Sequence, residues 1–257
     1  MTQSQIMLSV HEHYAVIKLN RPEKMNAIST KMTQDLHLAI DEANMLNNIK
    51  CLIITGAGTQ AFSTGGDLSD LHGDLSSDEA FGLLYQMKEV LYKIASFPVP
   101  TIAVLNGQAR GGGCELATAC DFRFGVRSSS YGFVQGQLGI TPGWGGGALL
   151  YEKIAADDAF LWLAEADMYQ ADKTLRIGWL HRILASEELH HIEGLAAPFT
   201  SKSLEQLKVL KRQYLRKLSI LPLSAQMDED VRACANLWES KEHKQAVERF
   251  VSSRKDH

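Results

Sequence analysis

Residues 99–126 run VPTIAVLN, then GQARGGGCELATAC, then DFRFGV, without a break. The first and last pieces read as strands. Between them three glycines open an apolar stretch with helical character. Two strands joined through a helix do not form a hairpin, because a crossover returns the chain to its starting edge and lays the strands parallel. A sheet of this kind is covered on both faces, and its strands read as continuous apolar runs. CLIIT (51–55) is another such run.

The neighbouring segments extend the pattern. IMLSV (6–10) and YAVIKLN (14–20) predict two strands joined by a short polar turn. Ser29 or Thr30 can cap a helix with Met32, Leu36, Ala39, Ile40, Ala43 and Leu46 on one face. Ser76 and Glu79 have capping-box spacing, and Phe81, Leu84, Leu91 and Ile94 continue as a helical stripe up to Pro98. The expected fold class is α/β with a mainly parallel layer. Past about residue 195 the pattern turns wholly helical. In SLEQLKVLKRQYLRKLSI, Leu204, Leu207, Leu210, Tyr214 and Leu218 share a face, while Lys208, Lys211, Arg212 and Arg216 lie mostly on the others. The expected organisation is a core over 1–195 and a helical region over 196–257.

The balance of 26 Lys+Arg against 30 Asp+Glu, a net charge of -4, offers no basic face to a nucleic acid. Cys51, Cys114, Cys120 and Cys234 show no CxxC spacing and read as buried free thiols of a reducing compartment. The N-terminus lacks the pattern of a secretory signal, and no apolar run reaches the roughly 18 residues of a membrane span. A cytoplasmic location is expected, with no membrane or nucleic-acid partner.

Several motifs are set aside. GAGTQA (56–61) fits a loosened dinucleotide fingerprint, but Gly65 and Gly66 break the helix it should open. His11 and His13 share one side of an extended segment without a third ligand, so a polar turn is the better reading and no metal site is expected. His190 and His191 are adjacent and point apart on a helix. Two glycine-rich turns remain, STGGD (63–67) and RGGGCE (110–115). Glycine lets a backbone N–H approach a ligand with no Cβ in the way, and a helix N-terminus adds unpaired donors. Two converging donors would make an oxyanion hole. Equally, both segments are readable as plain turns, with Glu115 a favourable charge in a first helical turn.

Taken together, IKLNRPEKMNAIS, AFSTGGDL, PTIAVLNGQARGGGCELATACDFRF and GFVQGQLGITPGWGGG resemble the enoyl-CoA hydratase/isomerase (crotonase) superfamily over roughly residues 6 to 255. The resemblance implies a crotonase-like (ClpP/crotonase) superhelix of stacked ββα turns. Its helical C-terminal region would mediate homotrimers, often paired into hexamers. It also implies an acyl-CoA thioester substrate, with coenzyme A carried as part of that substrate and no separate cofactor. Gly66 and Gly112 match the family's oxyanion donors, and Glu115 its first catalytic glutamate. Lys24, Met25, Ala27, Gly65, Asp67, Leu68, Ser69 and Gly111 match segments that line the CoA cleft. Lys255 or Lys211 would meet the CoA phosphates.

Where the family's hydratases carry a second glutamate, this chain has Gln135. An amide orients a water or substrate but neither gives nor takes a proton near neutral pH. Two enzymatic readings follow from the resemblance: a hydratase- or isomerase-type enzyme working with one glutamate, or a malonyl-type acyl-CoA decarboxylase. ACDFRF and GFVQGQLGITPGWGG are similar to the ethylmalonyl-CoA decarboxylase branch, and Gln135 and Trp144 could shape its pocket. A non-catalytic CoA-ester binder or RNA-binding relative is the alternative of another class.

Overall fold

The structure, a computed structural model, describes residues 4–67, 70, 75–218 and 220–253. Strand β1 (Ile6–Val10) pairs antiparallel with β2 (Tyr14–Leu19), as a short polar connection dictates. Helix α1 (Thr30–Asn44) follows, and Ser29, rather than Thr30, caps it by accepting the Met32 N–H at 3.2 Å. Strands β3 (Cys51–Gly56) and β4 (Ala61–Ser63) come next.

Helix α2 (Ser77–Ala95) opens with the capping box expected of Ser76 and Glu79, both halves of it formed. It buries Leu84, Leu91 and Ile94. Gly82 lies exposed in its second turn, and an added Cβ there would meet nothing within 4 Å. Gly82→Ala is therefore expected to stabilise the fold by about 0.5–1 kcal/mol, read as a raised urea midpoint at unchanged slope.

The strand–turn–helix–strand segment forms β5 (Thr101–Leu105), β6 (Gln108–Arg110), α3 (Gly112–Ala119) and β7 (Phe122–Val126). Strand β8 (Ser130–Gly132), a 3-10 turn over Val134–Leu138, α4 (Gly146–Lys153), α5 (Ala156–Glu165), β9 (Tyr169–Gln170), α6 (Ala171–Arg176) and β10 (Arg182–Leu184) complete the core. Two sheets result. The larger has the order β1-β2-β3-β5-β7-β10, parallel from β2 onward, and the smaller runs β4-β6-β8-β9. The chain thus passes from a strand of the large sheet to a strand of the small one and then into a helix, the repeating turn of a ββα superhelix.

Strand β3 shows why CLIIT carries no polar alternation. Leu52 and Ile54 join the main core under α1, α2 and α3. Cys51 and Ile53 join a second cluster with Ile102, Val104, Leu195 and Ala196. Both faces are dry, so both demand apolar side chains. The four cysteines are free and buried.

From residue 192 the chain is helical: α7 (Ile192–Thr200), α8 (Leu204–Lys217), α9 (Ile220–Trp238) and α10 (Lys241–Ser253). Helix α9 packs along α2 and against α4, and α10 lies on the 3-10 turn over Val134–Leu138. Among the described residues no helix is long and apolar enough to cross a membrane.

Helix α8 departs from its predicted stripe. Leu207 and Leu218 are buried, but Leu210 is 51% exposed, and Lys211 is buried in its place. The reason is an ion pair: the Lys211 ammonium lies 2.6 and 2.5 Å from the two oxygens of buried Asp121. Asp121 also accepts the Thr101 N–H at 2.9 Å, so this contact fastens α8 to the sheet. Lys211 is therefore corrected from a phosphate-binding candidate to a structural cation. Lys255 lies outside the described residues.

Candidate functional site

Two glycine turns meet at the mouth of α3. Gly65 has φ +87, and an added Cβ would lie 2.9 Å from the Gly112 nitrogen. At Gly113 a Cβ would fall 2.1 Å from the Ser63 carbonyl oxygen. Only hydrogen at both positions lets the turns close on each other. The Ile28 N–H donates to Gly65 O at 2.7 Å and Asp67 N–H donates to Ile28 O at 2.8 Å. This bridge pins the peptides on both sides of Gly66 and leaves the Gly66 amide outside it. Gly112 is the first residue of α3, so its N–H has no acceptor within the helix.

The segment 21–27 is held beside these turns by buried polar contacts. Asn26 adopts a left-handed φ of 54, accepts the Arg21 N–H at 3.0 Å, and donates to the Ala57 and Ala61 carbonyls at 2.9 and 2.8 Å. Met25 is left-handed as well, with φ 51, a conformation that L residues rarely adopt and that the Asn26 anchor holds in place. Arg21 donates to Asp67 at 2.5 Å and to the Ala27 carbonyl at 3.2 Å. The Asp67 carboxylate thus ties this segment to the first glycine turn.

Glu115 sits one turn into α3 and is 2% exposed. Its Oε2 accepts the Trp144 and Gly146 amides at 2.8 and 2.9 Å. Its Oε1 accepts the Gln135 side-chain amide at 2.8 Å, with a longer contact from the Gly143 N–H at 3.4 Å. Burial pushes this carboxyl up to about 7. The Trp144 and Gly146 amides oppose the rise, the charge of Asp230 adds to it, and Gln135 opposes it. A carboxyl group at about 7 both takes and gives protons near neutrality, the property wanted of a general acid–base.

The turn that supplies these amides is built for the purpose. A Cβ at Gly146 would strike the Glu115 side chain at 2.3 Å, and one at Gly145, where φ is +79, would strike Met227 at 2.6 Å. Behind the turn, Asp230 on α9 accepts the Ala148 N–H at 2.7 Å and so caps α4. Burial raises Asp230 to about 6. Glu115 and Asp230 therefore both hold the start of α4, through the Gly146 and Ala148 amides.

The glycine turns, Glu115 and Gln135 open on one cleft of about 850 Å³. Glu115, Gly66, Gly112 and Gln135 line it, as do Lys24, Met25, Ala27, Gly65, Asp67 and Gly111. Leu68 and Ser69 lie outside the described residues. His11 is not brought into a ligand set; it stacks on Tyr14 with ring centroids 4.3 Å apart. Among the described residues no three His, Cys, Asp or Glu side chains gather as a metal site.

Sequence reasoning missed the amide donors of residues 143–146, the cap by Asp230, and the cleft wall formed by Trp238, Arg249 and Phe250. The run of glycines after Trp144 was a visible signal of close backbone approach. Nothing local pointed to the C-terminal wall.

The family model described as Enoyl-CoA hydratase/isomerase matches residues 10–257. A crotonyl-CoA hydratase of Syntrophomonas wolfei subsp. wolfei is 37% identical over 205 residues, covering 79% of this chain and 78% of that one. An ethylmalonyl-CoA decarboxylase of Xenopus laevis is 33% identical over 174 residues, covering 68% of this chain and 58% of that one. Among solved structures, an enoyl-CoA hydratase from Bacillus halodurans superposes with a TM-score of 0.88 at 23% identity, over 96% of this chain and 100% of the other.

Proposed function

Because the chain belongs to the enoyl-CoA hydratase/isomerase family, we propose that it acts on an acyl-CoA thioester, with the thioester oxygen held between the Gly66 and Gly112 amides and with Glu115 as its one proton-transferring side chain. The observation that carries this reading is the Glu115 carboxyl, buried on the cleft wall beside both glycine turns and raised to about 7.

The chemistry follows from where charge develops. Removing a proton from the carbon next to a thioester, or adding a nucleophile across its conjugated double bond, moves an electron pair onto the carbonyl oxygen. Fixed backbone N–H groups stabilise that oxyanion without reorganising, and losing one such donor typically costs about 10²- to 10³-fold in rate. Glu115 then handles the proton. Its oxygens have room for a further partner, since the Gly143 contact is long and a carboxylate offers about four acceptor sites.

Gln135 decides what Glu115 has to do alone. Its amide nitrogen is committed to Glu115, which leaves its Oε1 as an acceptor, and that atom is buried with no donor among the described residues. It suits a donor from the ligand, a water or a hydroxyl. Hydration or double-bond isomerisation through one carboxyl is the primary reading. Decarboxylation of a malonyl-type thioester is the second, favoured by the absent second carboxylate and by relatives that are ethylmalonyl-CoA decarboxylases. In that reaction the C–C bond to CO2 breaks, its electron pair passes into the enolate, and one proton returns to carbon.

A paired assay separates these. One arm follows loss of the conjugated thioester absorbance with crotonyl-CoA; the other follows CO2 release from ethylmalonyl- or methylmalonyl-CoA. Turnover in one arm assigns the reaction, and binding without turnover in either arm or in an isomerase assay supports a non-enzymatic binder instead. Gln135→Glu places a second carboxyl against Glu115, and two carboxyls that close share a proton and split their titrations. Hydration of crotonyl-CoA by this variant is expected to rise by about tenfold or more, within the usual worth of one general acid or base. No gain would contradict the two-carboxylate argument.

We also read the chain as a homotrimer or dimer of trimers. Phe160 and Leu161 on α5, 66% and 51% exposed, offer apolar surface for such an assembly.

A further inference from the structure

Arg110 is the one part of the glycine-turn segment that the chemistry above leaves without a task. It is the last residue of β6 and stands directly before Gly111 and Gly112. Alternation along β6 buries Ala109 on one side and sends Gln108 and Arg110 to the other. That side faces the cleft, because the Gln108 amide contacts the Met25 sulfur at 3.9 Å and both Met25 and Arg110 line the cavity.

The Arg110 Nε is buried and has no acceptor within hydrogen-bond reach among the described residues. No ion pair forms between Arg110 and an acid among the described residues. The acidic groups of the same cleft are otherwise engaged or turned to solvent: Asp67 holds Arg21, Glu115 is turned to the Trp144 and Gly146 amides and to Gln135, and Glu23 is exposed. The other cleft arginine, Arg249, spends its Nε on the Gln245 carbonyl of its own helix at 3.2 Å. Arg110 is only half-buried on the cleft wall, and a cation there with no acid partner among the described residues is open to an anion that enters the cleft.

We propose that Arg110 recognises a carboxylate carried on the acyl chain, so that the substrate is the monothioester of a dicarboxylic acid. The inference rests on the reading of this cleft as a CoA-thioester site and narrows its substrate class. A guanidinium presents a planar fork that matches a carboxylate in two parallel hydrogen bonds. Its place in the chain favours the acyl end. Arg110 is separated from the Gly112 amide by a single residue, whereas the phosphates of CoA lie a whole pantetheine arm away from the thioester. Those phosphates are the other source of the same anionic chemistry, and the test must separate the two.

Binding to the full chain is measured with malonyl-CoA and succinyl-CoA against their apolar isosteres, 3-methylbutanoyl-CoA and 4-methylpentanoyl-CoA. The same four acyl groups are then offered as N-acetylcysteamine thioesters, which carry no phosphate. The wild-type chain is expected to prefer at least one carboxylate over its isostere by about tenfold or more in both series, as a charge-assisted bidentate pair warrants. Arg110→Ala and Arg110→Gln should erase the preference and leave the affinity for the apolar esters unchanged, while Arg110→Lys should retain part of it. An equal preference of the wild type for both classes overturns the proposal. So does a loss in Arg110→Ala that is common to all CoA esters and missing from the N-acetylcysteamine series, which assigns Arg110 to the phosphates. A wild-type chain that binds no CoA ester at all would refute the thioester site itself.

Discussion

Glu115→Gln is expected to lower turnover by about 10³- to 10⁴-fold, near the upper range for loss of one general acid–base, because no second carboxyl stands ready to replace it. Affinity for the CoA ester should persist, since the oxyanion donors and the cleft are untouched. The same side chain sets the pH profile. Acting as a base in the free enzyme, Glu115 must be ionised, so kcat/KM should fall about tenfold per pH unit below about 7 and level off above it. Stability moves the opposite way. The folded carboxyl titrates at about 7 against 4.5 for the free group, so the protonated form is the one that folding favours. Its contribution is complete below about 4.5 and is lost as pH climbs through about 7. Asp230, raised from 3.8 to about 6, acts in the same direction over a lower, overlapping window, so thermal melts of Glu115→Gln should keep a reduced slope in place of none. Turnover that survives within a few-fold would leave Glu115 as nothing more than a charge at a helix start.

The second large effect belongs to Gly112→Ala. Its Cβ would fall 2.2 to 2.3 Å from carbon atoms of the Trp144 indole ring. That ring is 5% exposed and packed in the main core, so it has little room to retreat. Either α3 shifts, carrying the Gly112 amide with it, or Trp144 turns and drags the amide that holds Glu115. Both outcomes damage the site, and a loss of about 10²- to 10³-fold in kcat is expected, the usual worth of an oxyanion donor. KM should change far less, because the donor acts on charge that appears only in the transition state. Gly82→Ala is the matching control: the same chemical change in a helix with open space around it. If Gly112→Ala keeps its kcat while the fold stays intact by circular dichroism, the Gly112 amide does not meet the reacting oxygen.

These expectations draw unequally on local and distant contacts. The helix starts at Ser29 and Ser76 were legible because a cap is made by residues three apart. The dry strands CLIIT and TIAVL were legible because burial on both faces leaves no polar position. Strands β4, β6 and β8 went unseen as strands. Each is three residues long, too short for a two-residue alternation to stand out, and each exists because the small sheet pairs them. Helix α8 misled in a different way. Its leucine spacing fits a helix, yet the choice between burying Leu210 and burying Lys211 was made by Asp121, which lies across the fold.

Sequence alone determined the parts whose physics is local: the capped helix starts, the dry strands, the glycines that allow two turns to touch, and a carboxylate placed one turn inside a helix. Tertiary structure alone decided what that carboxylate is. The amides of Trp144 and Gly146, the side chain of Gln135 and the burial that lifts Glu115 to about 7 all come from residues far along the chain. Proximity in sequence sets backbone conformation, but the energy of a charge depends on everything within a few ångströms of it, and folding chooses those neighbours.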